Sequence, residues 1–418
     1  MPYDILALGA TGFTGKYISK YLNSHPERSG PTPFTFAVAG RSQKKLEEVK
    51  RELKLDQEVG LLVVDIEDYV SVEAAVTQTK VVVNAVGPYW KYADHVVRAC
   101  ANNGVHYVDL AGEPHFIKSI IQKYDYQAHK NNAILIPCCG FDSVPADVVV
   151  YLANKTAKSV LGPSAYIEDS ISLYDLKGGI SGGTLASAIS SIEDIPKAVT
   201  AEAMKDFSYR EPKGAPTKPN KLIYTVPVDG KTRYGGIFPM CPINRLVVHH
   251  TWSLFKRFQD RHPEKVYGDK FTYNEITAQS KYYQTVLYLF GISVFIVGIL
   301  FPPTRWILKR FLPQPGAGPS PDGFFEVTNI SHSGSSKIKT VIRAEGEPGY
   351  FGTARMISEA GLALALDFGR LPYKQTGGAG VLTPMAALGD VYIERMKKYY
   401  ELQVESEVVS GDEGRKQR

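Results

Sequence analysis

Apolar and polar positions follow two rhythms in the first third of the chain. Short apolar runs occupy 4–8, 34–39, 60–64, 81–86, 106–110 and 134–138. Between them, 16–23, 44–54, 70–78, 93–102 and 115–131 carry apolar residues at helical spacing. Strands alternating with helices predict a parallel, doubly wound sheet. The run Val81-Val82-Val83-Asn84-Ala85-Val86 is apolar almost throughout, as a central strand covered on both faces must be.

Beyond about residue 150 the rhythm changes. Strands are predicted at 170–177 and 222–228, and a helix at 183–192. Pro- and Gly-rich breakers stand at 211–220 and 314–323. Two antiparallel strands follow at 324–330 and 337–344, then helices at 353–366 and 384–400. Thr383 suits the cap of the last helix and Pro384 its first position. The polar tail 410–418 is expected to be flexible.

The chain has 418 residues, enough for two or three domains. Hydrophobic residues make up 44% and charged residues 22%, a globular composition. A net charge of +5 and the lack of a nucleic-acid-binding motif argue against nucleic acid as a partner. The cysteines are Cys100, Cys138, Cys139 and Cys241. They show neither C-x-x-C nor zinc spacing, so no metal is expected and a reducing compartment fits. A first strand close to Met1 leaves no room for a cleavable signal, which is the expectation here.

The most specific chemistry lies at Gly9-Ala10-Thr11-Gly12-Phe13-Thr14-Gly15, between the first strand and the first helix. Gly9 permits the tight turn, Gly12 lets backbone approach a pyrophosphate, and Gly15 lets helix and strand pack closely. Gly9, Thr11, Gly12, Phe13, Thr14 and Gly15 are therefore the expected phosphate cradle of a dinucleotide. After the second strand come Arg41 and Ser42, with no acid before Glu47. A guanidinium and a hydroxyl suit a 2′-phosphate, so NADP(H) is the expected cofactor. The rival reading makes Arg41 and its neighbouring lysines a solvated helix start. Asp65, after the third strand, either accepts from the adenine amino group or caps the next turn. Gly87 and Pro88 follow the fourth strand and should lie near the nicotinamide end.

GATGFTG, AGRS at 39–42, NAVGPY at 84–89, DLAGE at 109–113, GFDSVPAD at 140–147 and SGGT at 181–184 occur in this order. GEPGY at 346–350 and GVLTP at 380–384 follow. Together they resemble the saccharopine dehydrogenase-like oxidoreductases, the group that includes bacterial trans-acting enoyl reductases. The resemblance implies an α/β fold: a Rossmann-type NADP-binding domain at 1–150 and an inserted α+β second domain at 151–345. C-terminal helices at 346–409 would return to the Rossmann domain. The chain looks most like eukaryotic members, which implies the cytosolic face of lipid droplets or the endoplasmic reticulum membrane.

Hydride transfer often needs a proton donor beside the reacting carbon. Tyr89, Asp142 and Ser143 are the catalytic candidates, because all follow strand ends on the ligand-binding edge of an open α/β sheet. Asp109, Glu113 and Asp147 share that edge. Each has a structural rival role: Asp142 and Ser143 as caps of a helix, Asp109 and Glu113 as hydrogen-bond anchors. Gly182-Gly183-Thr184 reads either as an anion nest or as a tight turn. Ala93, four residues after Tyr89, excludes the Y-x-x-x-K pair of short-chain dehydrogenases.

Residues 282–304 carry no formal charge, and 286–301 are almost wholly apolar. Pro302-Pro303 and the basic, aromatic run from Arg305 to Phe311 follow. The stretch is short for a crossing, and both flanks belong to one catalytic body. A re-entrant hairpin or interfacial helix on a membrane or lipid droplet is therefore expected, against the rival of a buried core helix. The combined expectation is an NADPH-dependent reductase of a lipid-like substrate at such a surface. The alternative is a non-catalytic nucleotide- or lipid-binding scaffold. An oligomer is compatible with either.

Overall fold

The computed structural model describes residues 1–31, 33–179, 182–217, 220–311 and 318–409. The expected flexible tail, Ser181 of SGGT and part of the 314–323 breaker lie outside the described residues.

The first half alternates as its pattern predicts. The order is β1 (Tyr3–Leu8), α1 (Phe13–Asn23), β2 (Phe36–Gly40), α2 (Gln43–Glu52), β3 (Gly60–Val63), α3 (Tyr69–Val76) and β4 (Thr79–Asn84). Next come α4 (Tyr89–Tyr92), α5 (Asp94–Asn103), β5 (His106–Asp109), α6 (Pro114–Lys130), β6 (Ile134–Ile136) and α7 (Ser143–Leu161). The second half begins with β7 (Asp169–Lys177), α8 (Gly182–Asp194), α9 (Lys197–Ala203), the hairpin β8 (Tyr224–Val228) and β9 (Lys231–Gly235), and α10 (Cys241–Arg257). It continues with β10 (Thr272–Thr277), α11 (Tyr282–Leu300), α12 (Pro302–Phe311), β11 (Phe324–Ser333) and β12 (Ser336–Glu345). The chain closes with α13 (Thr353–Leu366), β13 (Gly380–Val381), α14 (Pro384–Tyr399) and β14 (Gln403–Val409).

Seven parallel strands form the first sheet, in the order β13-β6-β5-β4-β1-β2-β3. Ile5 pairs with Phe36 on one side and with Val81 on the other, so strand order reverses at β1. Ligands of open α/β sheets bind beyond the strand ends at such a reversal. Ile5, Val81, Val82 and Val83 are fully buried, as an apolar central strand requires. The second sheet has the order β10-β7-β11-β12-β14; β7 and β10 are parallel and the other pairs antiparallel. Helix α7 lies across β11, β12 and β14 and joins the two halves through one core.

Helix α13 returns to the first sheet and lies over β4 and β5. A methyl group at Gly361 would come within 2.8 Å of Val83 Cγ2, so glycine sets that close approach. Helix α14 is broken at Gly389 (φ 52°, ψ −136°), where a side chain would meet Pro372 at 2.8 Å. The pattern of the chain does not announce α4, α9, β9, α10, β10, α12, β13 or β14. Two-residue β13 is too short for any periodicity, and it exists because Gly380 and Val381 pair with Ile134 and Leu135 of β6. Strand β14 is charged and lies at an edge, held by pairing to β12.

Candidate cofactor and substrate site

The glycine turn sits at the reversal of strand order. Gly9 has φ +89°, and a methyl there would lie 2.8 Å from Val86 Cγ2. At Gly15 it would lie 2.1 Å from the Gly9 carbonyl oxygen, so helix and turn leave no room for a side chain. Gly12 differs: it is exposed, its φ is −80°, and the nearest atom to a methyl is Gly9 O at 3.3 Å. Packing presses on a side chain there only through that one carbonyl, which leaves the outer face of the turn open for a ligand. No side chain caps α1, and its first turn carries no acid. Its open N–H groups and dipole suit an anion, so these residues fit a dinucleotide pyrophosphate.

The other cofactor candidates fall around this turn. Thr11 lies beside Gly40 at the end of β2. The Phe13 ring packs edge-on against Tyr17 and Tyr350, with centroids 5.1 and 5.4 Å apart, and against Gly318. That leaves its backbone for a ligand. Thr14 is half-buried in the first turn of α1. Arg41 stands exposed just past β2. Ser42 caps α2, its Oγ accepting the Lys45 N–H at 3.4 Å. Asp65 is exposed and accepts the Glu67 N–H at 3.0 Å, closing a turn. The cap of α3 is Asp68 rather than Asp65: it accepts from the N–H groups of Val70 and Ser71. Gly87 and Pro88 are joined by a cis peptide. A methyl at Gly87 would lie 3.4 Å from Ser187 Oγ of α8, so α8 covers the loop after β4.

Tyr89 is buried, and its hydroxyl donates to the Asn84 carbonyl at 3.3 Å. Burial and the nearby Asp109 carboxylate push its phenol well above its ordinary value. Asp109 and Glu113 anchor the loops. Asp109 Oδ1 accepts from Ala111 N–H (2.8 Å) and Cys138 N–H (3.1 Å), and its Oδ2 from Tyr107 Oη (2.8 Å). Glu113 accepts from Tyr89 N–H at 3.0 Å and Trp90 N–H at 2.7 Å, capping α4. Asp147 accepts from Thr251 Oγ1 at 2.6 Å and Met385 N–H at 2.9 Å, which ties α7 to α10 and the start of α14. Burial raises Asp109 and Asp147 to about 7.

Asp142 and Ser143 cap nothing. No side chain caps α7, although both residues stand at its start. Asp142 has φ +85°, ψ −69°, a conformation that costs about 1–3 kcal/mol and collects at functional sites. Its carboxyl is pushed up to about 7, first by burial and then by the charge of Glu347. Ser143 Oγ donates to Asn244 Oδ1 at 3.0 Å. Asn244 Nδ2 in turn donates to Glu275 Oε2 at 3.0 Å. Glu275 Oε1 accepts from Tyr273 Oη at 2.8 Å and Tyr174 Oη at 3.1 Å, and Tyr174 Oη also reaches the Asp142 carbonyl at 3.3 Å. Glu275 is fully buried and rises to about 8. A buried polar network therefore lies directly beneath Asp142.

Tyr174, Asn244, Tyr273 and Glu275 were not legible as site residues. One signal existed: Phe271-Thr272-Tyr273-Asn274-Glu275-Ile276 is rich in aromatic and β-branched residues. As a strand it puts Tyr273 and Glu275 on one face. Among the described residues no cluster of His, Cys, Asp or Glu could hold a metal.

Residues 5–136 match the family model of the saccharopine dehydrogenase NADP-binding domain. A putative trans-acting enoyl reductase of Mycobacterium tuberculosis is 31% identical over 423 aligned residues, covering 94% of this chain and 95% of that protein. The lipid droplet localized protein of Caenorhabditis elegans is 29% identical, covering 93% and 94%. Saccharopine dehydrogenase (L-Glu forming) of Saccharomyces cerevisiae shares the fold, with a TM-score of 0.53, 12% identity and 98% of this chain covered. The chain thus belongs to the saccharopine dehydrogenase-like family of oxidoreductases, and its cofactor is NADP(H).

Proposed function

We propose that this protein is an NADPH-dependent reductase of a lipid-like substrate, working at the cytosolic face of a membrane or lipid droplet. One observation carries the reading. Helix α11 is 19 residues long with mean hydropathy 1.9, and only 6% of its apolar window is buried against the rest of the protein. It is no core helix. Leu287, Phe290, Val294, Val297 and Leu300 are all exposed. At roughly 25 cal/mol per Å² of apolar surface, covering them with lipid supplies several kcal/mol.

Both ends of the segment are tied to the body. Tyr288 Oη donates to the Ile237 carbonyl at 3.2 Å, and Arg305 pairs with Glu193 at 3.4 Å. Pro302 and Pro303 open α12 directly after α11, and Thr304 Oγ1 closes the turn on the Gly298 carbonyl at 2.6 Å. A hairpin entering one leaflet suits this better than a single crossing. The names of the mycobacterial and nematode relatives, an enoyl reductase and a lipid droplet protein, point the same way.

In this reading NADPH, when bound, supplies a hydride. The glycine turn and α1 hold its phosphates, and Arg41 its 2′-phosphate. Ser187 and the loop at Gly87 keep water from the reacting end. Asp142, with a carboxyl near 7, is about half protonated at neutral pH, and in that form it delivers its proton to the substrate atom that gains charge.

The test is to incubate purified protein with NADPH and vesicles of a whole lipid extract. Cofactor oxidation should appear together with a product heavier by one hydride and one proton. Asp142→Asn should bind NADPH normally and lose most of that turnover. Tight nucleotide binding with no oxidation across broad lipid sets would favour the scaffold instead.

A further inference from the structure

The exposed α11–α12 pair touches two sides of the candidate site. On one side, Arg305 of α12 pairs with Glu193 near the end of α8, and Ser187 of the same helix lies over Gly87. Glu193 lies six positions along the helix from Ser187, about 9 Å. On the other side, Leu289 and Tyr288 of α11 pack on Gly236. Phe238, two residues on, stacks flat on Tyr174 with centroids 4.3 Å apart, and Tyr174 Oη contacts Asp142. Two further apolar side chains are exposed on the helices after β7. Ile192 at the end of α8 is 39% exposed and Val199 of α9 is 49% exposed. Residues 187–192 carry no formal charge.

We infer that the substrate is a lipid resident in the surface layer, whose acyl chain runs along α8 from the α11–α12 face to the loops at Gly87 and Asp142. This rests on the lipid-surface reading above and adds the route and the substrate class. A chain leaving the bilayer here would pass Ile192 and the root of α11 and meet Phe238, whose ring stacks on Tyr174, a short distance from the reacting end.

Full-length protein with NADPH should be bound to phosphatidylcholine–phosphatidylserine vesicles carrying a phosphatidylcholine with a diazirine in one acyl chain. After photolysis, label should appear in 189–192 and 238–240 as well as in α11. Ile192→Asp changes an exposed position and leaves the core intact. Together with Ser187→Trp, it should cut label at 238–240 about tenfold while vesicle flotation stays. Label confined to α11 and α12 on a floating protein overturns the route and leaves lipid attachment standing. Undiminished label at 238–240 in the double variant also overturns the α8 route. A natural chain that does not float overturns the attachment and the route with it.

Discussion

Arg395 Nε lies 2.7 Å from Glu359 Oε2, and both side chains are buried. Arg395 also pairs with Glu27 at 2.6 Å and Asp367 at 2.8 Å. Glu359 further accepts from Tyr21 Oη at 2.7 Å and lies 2.9 Å from His25 Nε2. This node fastens α13 and α14 to the turn after α1. Its carboxylates drive the Arg395 guanidinium up despite burial, and Arg395 in turn holds Glu27 low.

Removing one partner of such a node should cost more than the pair contributes. Arg395→Ala leaves Glu359 buried without its main counter-charge, and the expected loss is about 3–5 kcal/mol. Adding Glu359→Leu should recover part of it, a coupling that chemical denaturation of the single and double variants would read. Additive losses would show that the two side chains act independently.

Stability should fall between about pH 6.5 and pH 8.5. Burial raises Asp109, Asp142 and Asp147 from 3.8 to about 7 and Glu275 from 4.5 to about 8. The folded chain keeps protons that the unfolded chain has already lost. That stability is whole below the ordinary values and disappears as pH climbs through 7 and 8. The half-buried His106 and the buried His249 and His250 act oppositely, because desolvation lowers them; their effect is complete by about pH 6.5. Glu275→Gln should flatten the decline seen in melting temperatures. A melting temperature that rises over this window would contradict the assignment.

Gly12 and Gly15 should fail in different ways. Gly12→Val meets only Gly9 O at 3.3 Å, so the fold should survive while NADPH binding is lost to the branched side chain. Gly15→Ala would place its methyl 2.1 Å from backbone and should destabilise the domain itself. Circular dichroism with nucleotide titration separates the two. Tight NADPH binding by folded Gly12→Val would remove this turn as the phosphate site.

NADPH should bind more tightly than NADH, and Arg41→Ala should narrow the gap. A charge-assisted contact to the 2′-phosphate contributes roughly 1.5–3 kcal/mol, about tenfold or more in affinity. Equal affinities in the natural protein would leave Arg41 as a solvated helix start.

Deleting 288–300 should release the protein to the cytosol, and Ile296→Asp with Val297→Asp should weaken attachment more gently. In sealed microsomes, protease should cleave sites on both flanks of α11–α12. Protection of one flank would establish a single crossing.

The Rossmann half was written locally. Its strands are continuous apolar runs and its glycine turn is contiguous, so Gly9, Gly12 and Gly15 could be assigned roles before any contact was known. The charge-free stretch was equally plain, yet composition left open whether it is a core helix. That depended on what packs against 282–300, and almost nothing does. The layer beneath Asp142 depended wholly on tertiary structure. Ser143, Asn244, Glu275 and Tyr174 come from α7, α10, β10 and β7, up to 132 positions apart between Ser143 and Glu275, and no periodic pattern spans such a gap. The same holds for Arg395 and Glu359, and for β13, whose two residues become a strand only because β6 offers an open edge. Periodicity reports which face of an element is buried; which distant side chains share that burial is decided by packing alone.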